Sequence, residues 1–479
     1  MSAEAPGHID FAAYSQNVPQ TIPAAVQQAT SRFLGLREQR VAEMPHWEAL
    51  REAASQIRLH TLSHIDLYLQ KLEEQVTAAG GQVHWARDAA EAREIVLAIA
   101  RSHDVKTAVK VKSMATEEIG LNHALEEAGI QPFETDLGEY IIQLAGTGPS
   151  HIIVPAVHLK KEEIAGLFSE KLEVDAPSDP VKLTAIARAS LRERFLSAEM
   201  GISGANFLVA ESGTLVIVTN EGNGRMCTTL PDLHVAVVGI DKVIPDWDSL
   251  TVMLKLLARS ATGQKLSTYT SFITGPRREE GEFGPKEFHL VLLDNGRSKI
   301  LRDPVAREVL KCIRCGCCLN VCPVYKSVGG FAYGWFISGP IGSILSPQLL
   351  GVGAASQLPF ASTLCGACAD VCPVKIPIPK ILLHLRHRVV EGDEFEGPSA
   401  PAVLRAGARM GVFALGSPRL YRLGSRVLSI VMRPLKRDGW INRLPPPVNR
   451  WTKVRPFPAF NARFRQRWAR RNQNGGRDE

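Results

Sequence analysis

Eight of the chain's nine cysteines fall between Cys312 and Cys372, and only Cys227 stands apart. The first run is Cys312-Ile-Arg-Cys315-Gly-Cys317-Cys318-Leu-Asn-Val-Cys322-Pro323. Through Cys312, Cys315, Cys318 and Cys322 it reads C-x2-C-x2-C-x3-C-P, a spacing by which thiolates hold cubane iron–sulfur clusters. Short gaps let three thiolates curl round one face of a cubane. The fourth, followed by Pro, turns away toward a neighbouring cluster. The second run, Cys365-Gly-Ala-Cys368-Ala-Asp-Val-Cys372-Pro373, repeats the last three positions, with Ser362 where the first cysteine would stand. Exchange of the fourth ligands then assigns two clusters. One takes Cys312, Cys315, Cys318 and Cys372, and the other takes Cys322, Cys365 and Cys368. Both read as [4Fe–4S]. The second has only three cysteines, so Ser362 oxygen, a water or a [3Fe–4S] cluster stays open there, and Cys317 is a spare thiol. An all-cysteine zinc site would use paired C-x2-C elements instead.

The two runs are 42 residues apart, which is long for a compact bacterial ferredoxin and leaves room for helices, as in an α-helical ferredoxin arrangement. Residues 327–369 contain no Asp, Glu, Lys or Arg. Pro340, Pro347 and Pro359, with Gly329, Gly330, Gly351 and Gly353, argue against a membrane span, which wants ~20 consecutive, mostly apolar residues. A dry, buried connection is the better reading.

Ahead of the cysteines, residues 61–300 alternate between strand and helix patterns. Asp88 to His103 predicts a helix with Asp88 as N-cap and Glu91 three residues on. Thr107–Val111 predicts a strand, Thr116–Ala128 a helix closed by Gly129, His151–Val154 a strand and Lys161–Phe168 a helix. Leu215–Val218, Val235–Val238 and Leu290–Leu293 are continuous apolar runs, as in strands covered on both faces. The fold class of this region is α/β. It lacks GxGxxG after a strand and GxxxxGK[ST], so the dinucleotide fingerprint and the P-loop are absent. Asn220–Arg225 and Asp294–Arg297 read as turns before anion-holding loops. His151, His158, His234 and His289 share no metal-like spacing and read as structural, and Cys227 as a buried apolar residue. No catalytic residue can be named.

Charge divides the chain. Residues 401–479 carry 18 Lys and Arg against 3 acidic residues, leaving 38 basic and 46 acidic in the rest. An acidic body with a basic tail weakens a whole-protein nucleic-acid reading. Trp440, Trp451, Phe457, Phe460, Phe464 and Trp468 interleave with the tail's arginines, and Pro445-Pro446-Pro447 suggests an extended wrap. Docking onto an acidic partner or the chain's own body is the preferred reading, with contact to a membrane surface its runner-up. Met1 to Gln16 has neither a basic n-region nor an apolar h-region, so a reducing cytoplasm is expected.

With these residues in view the chain resembles the lactate utilization protein B family, iron–sulfur subunits of bacterial L-lactate oxidation complexes. The likeness covers most of the chain. It rests on Asp136-Leu-Gly-Glu139-Tyr140, Pro149-Ser-His151, Ile202-Ser-Gly-Ala-Asn206, Asn220-Glu221-Gly222-Asn223, both cysteine runs, Gly339-Pro340-Ile341-Gly342, and Trp451-Thr452 near Arg455. It implies an α/β domain shared with lactate utilization protein C, similar to sugar-phosphate isomerases and CoA transferases. It also implies a two-cluster electron carrier, and the A and C proteins as partners. The family too lacks a first cysteine in the second run, whereas Cys317 departs from it, a small residue such as Ala being expected there. The organisation is then an N-terminal helical arm (1–60), the α/β domain (61–300), a two-cluster ferredoxin-type domain (301–395) and a basic C-terminal extension (396–479). The arm reads as peripheral packing. Glycolate, glycerol-3-phosphate or heterodisulfide systems would use a similar electron carrier. A redox sensor would need a DNA-binding element, and no helix-turn-helix is legible.

Overall fold

The computed structural model describes residues 6–19, 21–392, 397–445, 449, 452, 455–459 and 468. They fall into two units, residues 1–399 and 400–479.

The first unit is organised by a six-stranded parallel sheet. Its strands are β1 (Gln82–Ala86), β2 (Thr107–Lys110), β3 (Gln131–Glu134), β4 (Met200–Ser203), β7 (Leu233–Gly239) and β10 (Glu287–Leu293), in the order β1-β10-β7-β4-β2-β3. The apolar runs explain why β7 and β10 lie inside the sheet and not at its edges. Side chains alternate between faces along a strand. Val235, Val237, Val291 and Leu293 meet Val96 and Ile99 of helix Ala89–Ser102 on one face. Ala236, Val238, Leu290 and Leu292 meet Leu72 and Val76 of helix Ile65–Ala78 on the other. A strand buried on both faces has no polar register to keep, so it reads as a continuous apolar run.

A second sheet, with order β8-β5-β6-β9, is built from β5 (Phe207–Val209), β6 (Thr214–Thr219), β8 (Val243–Ile244) and β9 (Tyr269–Ile273). The run Leu215–Val218 belongs here and not to the main sheet. Two expectations need correction. His151–Val154 forms bends and not a strand, because His151 Nδ1 accepts hydrogen bonds from Ile153 N and Val154 N. The helix predicted over 116–128 is two, Met114–Glu118 and Leu121–Glu127, broken where Gly120 takes φ +62°. Asp88 caps its helix by accepting from Glu91 N, as predicted.

The arm is helical, at Thr21–Ala42 and Trp47–Ser63, but it is not peripheral. Ile22, Val26, Trp47, Ala54 and Leu62 share one core with Leu319, Tyr325, Ile344 and Leu385 of the cysteine region. Arg58 is fully buried and donates to the carbonyls of Val243, Asp241 and Leu310. After β10 and up to residue 399 the described residues form helices and no strands. The uncharged stretch includes helix Gly339–Leu350, whose first ten residues are all buried. No helix among the described residues is long and apolar enough to cross a membrane.

The second unit holds helices Ala402–Gly416 and Pro418–Val431, then three short antiparallel strands at Lys436–Arg437, Trp440–Ile441 and Phe457–Pro458. The basic extension therefore begins as helices. Trp451, Phe460, Phe464, Pro446 and Pro447 lie outside the described residues.

Two outcomes are expected. A Cβ on Gly201 of β4 would lie 1.8 Å from the carbonyl oxygen of Cys227. Gly201→Ala should therefore cost at least about 2 kcal/mol in denaturant unfolding; a loss under about 0.5 kcal/mol would contradict the packing. Burial, helped by nearby His289, pushes His234 down to about 3, so it is neutral in the fold. The unfolded chain takes up that proton near pH ~6.5, so stability falls as pH drops from there toward 3. The urea midpoint of His234→Gln should depend less steeply on pH in that window; an unchanged slope would count against it.

Candidate iron–sulfur centres

The repeat in sequence is also a repeat in backbone. Arg314 and Leu364, each just before a cysteine, take φ +58° and +56°. Gly316 and Gly366, each just after it, take +71° and +88°. Non-glycine residues seldom enter this region, so the shared conformation marks one loop built twice. Arg314 N donates to Cys312 Sγ at 3.4 Å, and Leu364 N donates to Ser362 Oγ at 3.1 Å. Ser362 thus stands in the place of Cys312. Cys317 stands in that of Ala367.

The two runs exchange their last cysteines. Cys312, Cys315 and Cys318 wall a small cavity together with Cys372. Cys365 and Cys368 wall another together with Cys322, Ser362 and Thr363. Ile341 lines the first cavity and Pro340 the second, so helix Gly339–Leu350 begins between them. Its start approaches Leu319 so closely that a Cβ on Gly339 would lie 2.6 Å from Leu319 Cγ. Tyr325 N donates to Cys322 Sγ at 3.5 Å and Ile376 N to Cys372 Sγ at 3.4 Å. Cys317 lines neither cavity; it is fully buried and donates to Val371 O at 3.7 Å. Cys227 is buried against Thr135 Oγ1 at 3.3 Å, and burial pushes its thiol up to about 12.

The donor set fits iron–sulfur groups. Burial pushes the thiols of Cys315 and Cys318 well above the ordinary range, with neighbouring cysteines adding to it. Burial does the same to Cys322 and Cys372, and takes Cys368 to about 12. Thiolates crowded in an apolar wall need a bound cation's charge to persist, which rules out a lone nucleophile and suits metal ligation. Among the described residues no three His, Cys, Asp or Glu side chains are placed to hold a single metal ion. Four thiols round a cavity match a cubane, in which each iron takes one cysteine, better than they match one zinc.

The arm and the α/β domain hold these loops in register. Arg51 donates to the carbonyls of Cys372 and Asp370, and Arg37 to that of Val371. Lys375, at φ +50° just beyond Cys372, pairs with Glu48 and Glu52 at 2.7 Å each. On the other side His151 Nε2 donates to Asn320 Oδ1 at 3.3 Å, and Tyr325 Oη donates to Ser150 O at 2.8 Å. Burial takes His151 down to about 4, so it keeps the neutral form this bonding needs. The arm's role escaped the sequence reading. The available signal was Arg51 and Arg58, seven apart and so on one helix face.

Site-directed loss of cysteines tests the division. After anaerobic reconstitution with iron and sulfide, Cys312→Ala and Cys372→Ala should lose the same reduced-state paramagnetic signal. Cys322→Ala and Cys365→Ala should lose the other, and Cys317→Ala should keep both. A Cys372→Ala protein that retains the signal missing from Cys312→Ala would contradict it.

Residues 69–293 match the family model of the LUD domain, and residues 308–376 that of the 4Fe-4S dicluster domain. Lactate utilization protein B of Shouchella clausii (strain KSM-K16) is 44% identical over 456 residues, 95% of each chain. The protein of the same name from Geobacillus thermodenitrificans (strain NG80-2) is 46% identical over 438 residues, 91% of each. A crystal structure of a DUF162 family protein from Deinococcus radiodurans covers 48% of this chain and 98% of its own, at 13% identity and a TM-score of 0.28. That overlap is too slight to carry an argument. The dicluster match implies two iron–sulfur clusters. With both domains matched and near-half identity along almost its whole length, the chain belongs to the lactate utilization protein B family.

Proposed function

We propose that this chain is the iron–sulfur electron-transfer subunit of a complex that oxidises L-lactate to pyruvate. The division of seven cysteines between two adjacent cavities carries the reading, in a chain whose relatives are named for lactate utilization. Cys312, Cys315, Cys318 and Cys372 would hold one [4Fe–4S] cluster. Cys322, Cys365 and Cys368 would hold the other, with Ser362 in the fourth ligand's place; without Ser362 the second would be [3Fe–4S]. When bound, the clusters supply single-electron transfer, two units of which convert an alcohol to a ketone.

The protein's own residues make that chemistry orderly. Ile313, Ile341, Val374, Ile376 and Ile378 line the first cavity and keep water from it. Pro340 lines the second cavity and Ile341 the first, so adjacent residues stand between the two sites. Cys365 alone of the seven is exposed, so the second site is the one that meets solvent and a redox partner. Phe360, half exposed with the Arg386 guanidinium 5.1 Å from its ring, marks the contact surface beside it. The all-helical cysteine region is in keeping with an α-helical ferredoxin arrangement, and the parallel sheet with an isomerase- or CoA-transferase-like layer. The partners in this reading are lactate utilization proteins A and C. The arginine-rich helices of the second unit would serve as a docking element, for an acidic partner first and the inner membrane face second. In this reading the complex works in the reducing cytoplasm, where cysteines stay available to clusters.

Tagged protein drawn from a lactate-grown host should bring down the A and C proteins and reduce a dye with L-lactate. Cys318→Ala should abolish lactate-dependent growth. Normal growth of that variant, or dye reduction with glycolate but not lactate, would overturn the assignment.

A further inference from the structure

The second unit has almost no interior. Among its described residues only Ala400 and Ile441 are buried. Its helices Ala402–Gly416 and Pro418–Val431 nevertheless carry many large apolar side chains, and these stand in solvent. Val403, Met410, Val412, Phe413 and Leu415 are each at least 70% exposed. At about 100° per residue they are spread round the whole circumference of the first helix. On the second, Leu420, Leu423, Val427 and Val431 recur at three- and four-residue steps along one side, all exposed. Helices this short are marginal in water and draw their stability from a surface that buries their apolar face. An exposed apolar area of this extent marks a binding surface.

Charge narrows what lies against it. Residues 397–437 hold 8 Lys and Arg and no Asp or Glu. Arg419, Arg422 and Arg426 form an exposed stripe of their own on helix Pro418–Val431, beside the apolar one. Arg405 and Arg409 lie one turn apart on the first helix. Tyr421 and Trp440, whose rings have an apolar body and a polar tip, are both more than half exposed. An acidic protein surface would meet the arginines, but it covers a helix from one side, whereas apolar residues encircle Ala402–Gly416. A helix sunk into the boundary between lipid headgroups and acyl chains is covered on most sides. There phosphates meet the guanidinium groups and acyl chains meet the apolar side chains. Neither helix crosses the bilayer: a span wants ~20 residues, and these have 15 and 14, with Ser417 between them.

We infer that helices Ala402–Gly416 and Pro418–Val431 lie in the surface of an anionic bilayer, with their apolar side chains among the acyl chains and their arginines on lipid phosphates. The inference deepens the docking role given above to this unit and names its partner; it does not depend on the choice of lactate. Charge by itself ranks an acidic protein ahead of a membrane here, and the apolar residues reverse that order. The chain is then held at a membrane by its own C-terminal unit, with no spanning segment.

The test is co-sedimentation of the full-length, cluster-loaded chain with lipid vesicles under anaerobic conditions. Vesicles of phosphatidylglycerol mixed with phosphatidylcholine should bind it on the order of a hundredfold more tightly than phosphatidylcholine alone. Changing Arg419, Arg422 and Arg426 together to Gln should remove most of that difference. Leu423→Ser combined with Val427→Ser keeps every charge and should still weaken binding to the anionic vesicles by on the order of tenfold. Iron and sulfide content is checked to be unchanged in each variant, so that a loss of binding is not a loss of fold. No binding to anionic vesicles, equal binding to both compositions, or binding indifferent to Leu423 and Val427 would overturn the inference. Arginine-dependent capture of the A protein in the absence of vesicle binding would also overturn it, in favour of an acidic partner. If vesicle binding fails while the complex still reduces dye with L-lactate, the surface is wrong and the electron-transfer role stands. If the vesicles bind as expected while the complex does not oxidise lactate, the role is wrong and the surface stands.

Discussion

Cys372 belongs to the second cysteine run by sequence and to the first cavity by position, and Cys322 makes the reverse journey. Each loop is therefore one wall short without the other. This mutual dependence requires two segments 42 residues apart to be held side by side with little play. Helix Gly339–Leu350 does so from within, because it begins between the cavities and its first ten residues are buried. The arm does so from outside, through Arg51, Arg37 and the Glu48 and Glu52 pairs to Lys375. The partly exposed pairs add little energy each. The arginine bonds to the carbonyls of Asp370, Val371 and Cys372 hold the backbone just ahead of the positive-φ turn at Lys375 more firmly.

The arrangement also explains why this region is so poor in charge. Any carboxylate or ammonium placed between the cavities would need a partner there, and at Gly339 even a Cβ would lie 2.6 Å from Leu319 Cγ. The α/β domain completes the enclosure through Ser150 and His151, the neutral imidazole of His151 bonding to Asn320 in the short helix Cys317–Val321. The carboxyl edge of the sheet and the cysteine cavity are thus in direct contact, Ile152, Ile313 and Arg314 lining the space on both sides.

How much of this is legible in sequence varies with the range of the interaction that decides it. The cysteine spacing, the helix capped by Asp88 and the apolar strands Val235–Val238 and Leu290–Leu293 are set by neighbours a few residues away. They can be read directly. The turn at His151 is decided by a side chain bonding its own next residues, which competes with the strand its apolar neighbours suggest. The second sheet, the buried arm and the cavity at the strand ends depend on partners from tens to hundreds of residues distant. Arg58 contacts Leu310, and Arg314 shares a wall with Asn223. No local pattern encodes those pairings. Ser362 lies in between: spacing marks the gap, and the matching backbone bond at Leu364 shows that serine occupies the cysteine's place.

The account's central claim is that electrons from L-lactate enter two neighbouring clusters held by these cysteines. The most direct measurement is low-temperature electron paramagnetic resonance of the intact complex, anaerobically oxidised and then mixed with L-lactate alone. The account predicts that lactate brings up signals of two magnetically interacting reduced clusters, both missing when Cys318→Ala and Cys365→Ala are combined. Signals that stay absent with lactate while the complex still produces pyruvate would contradict it.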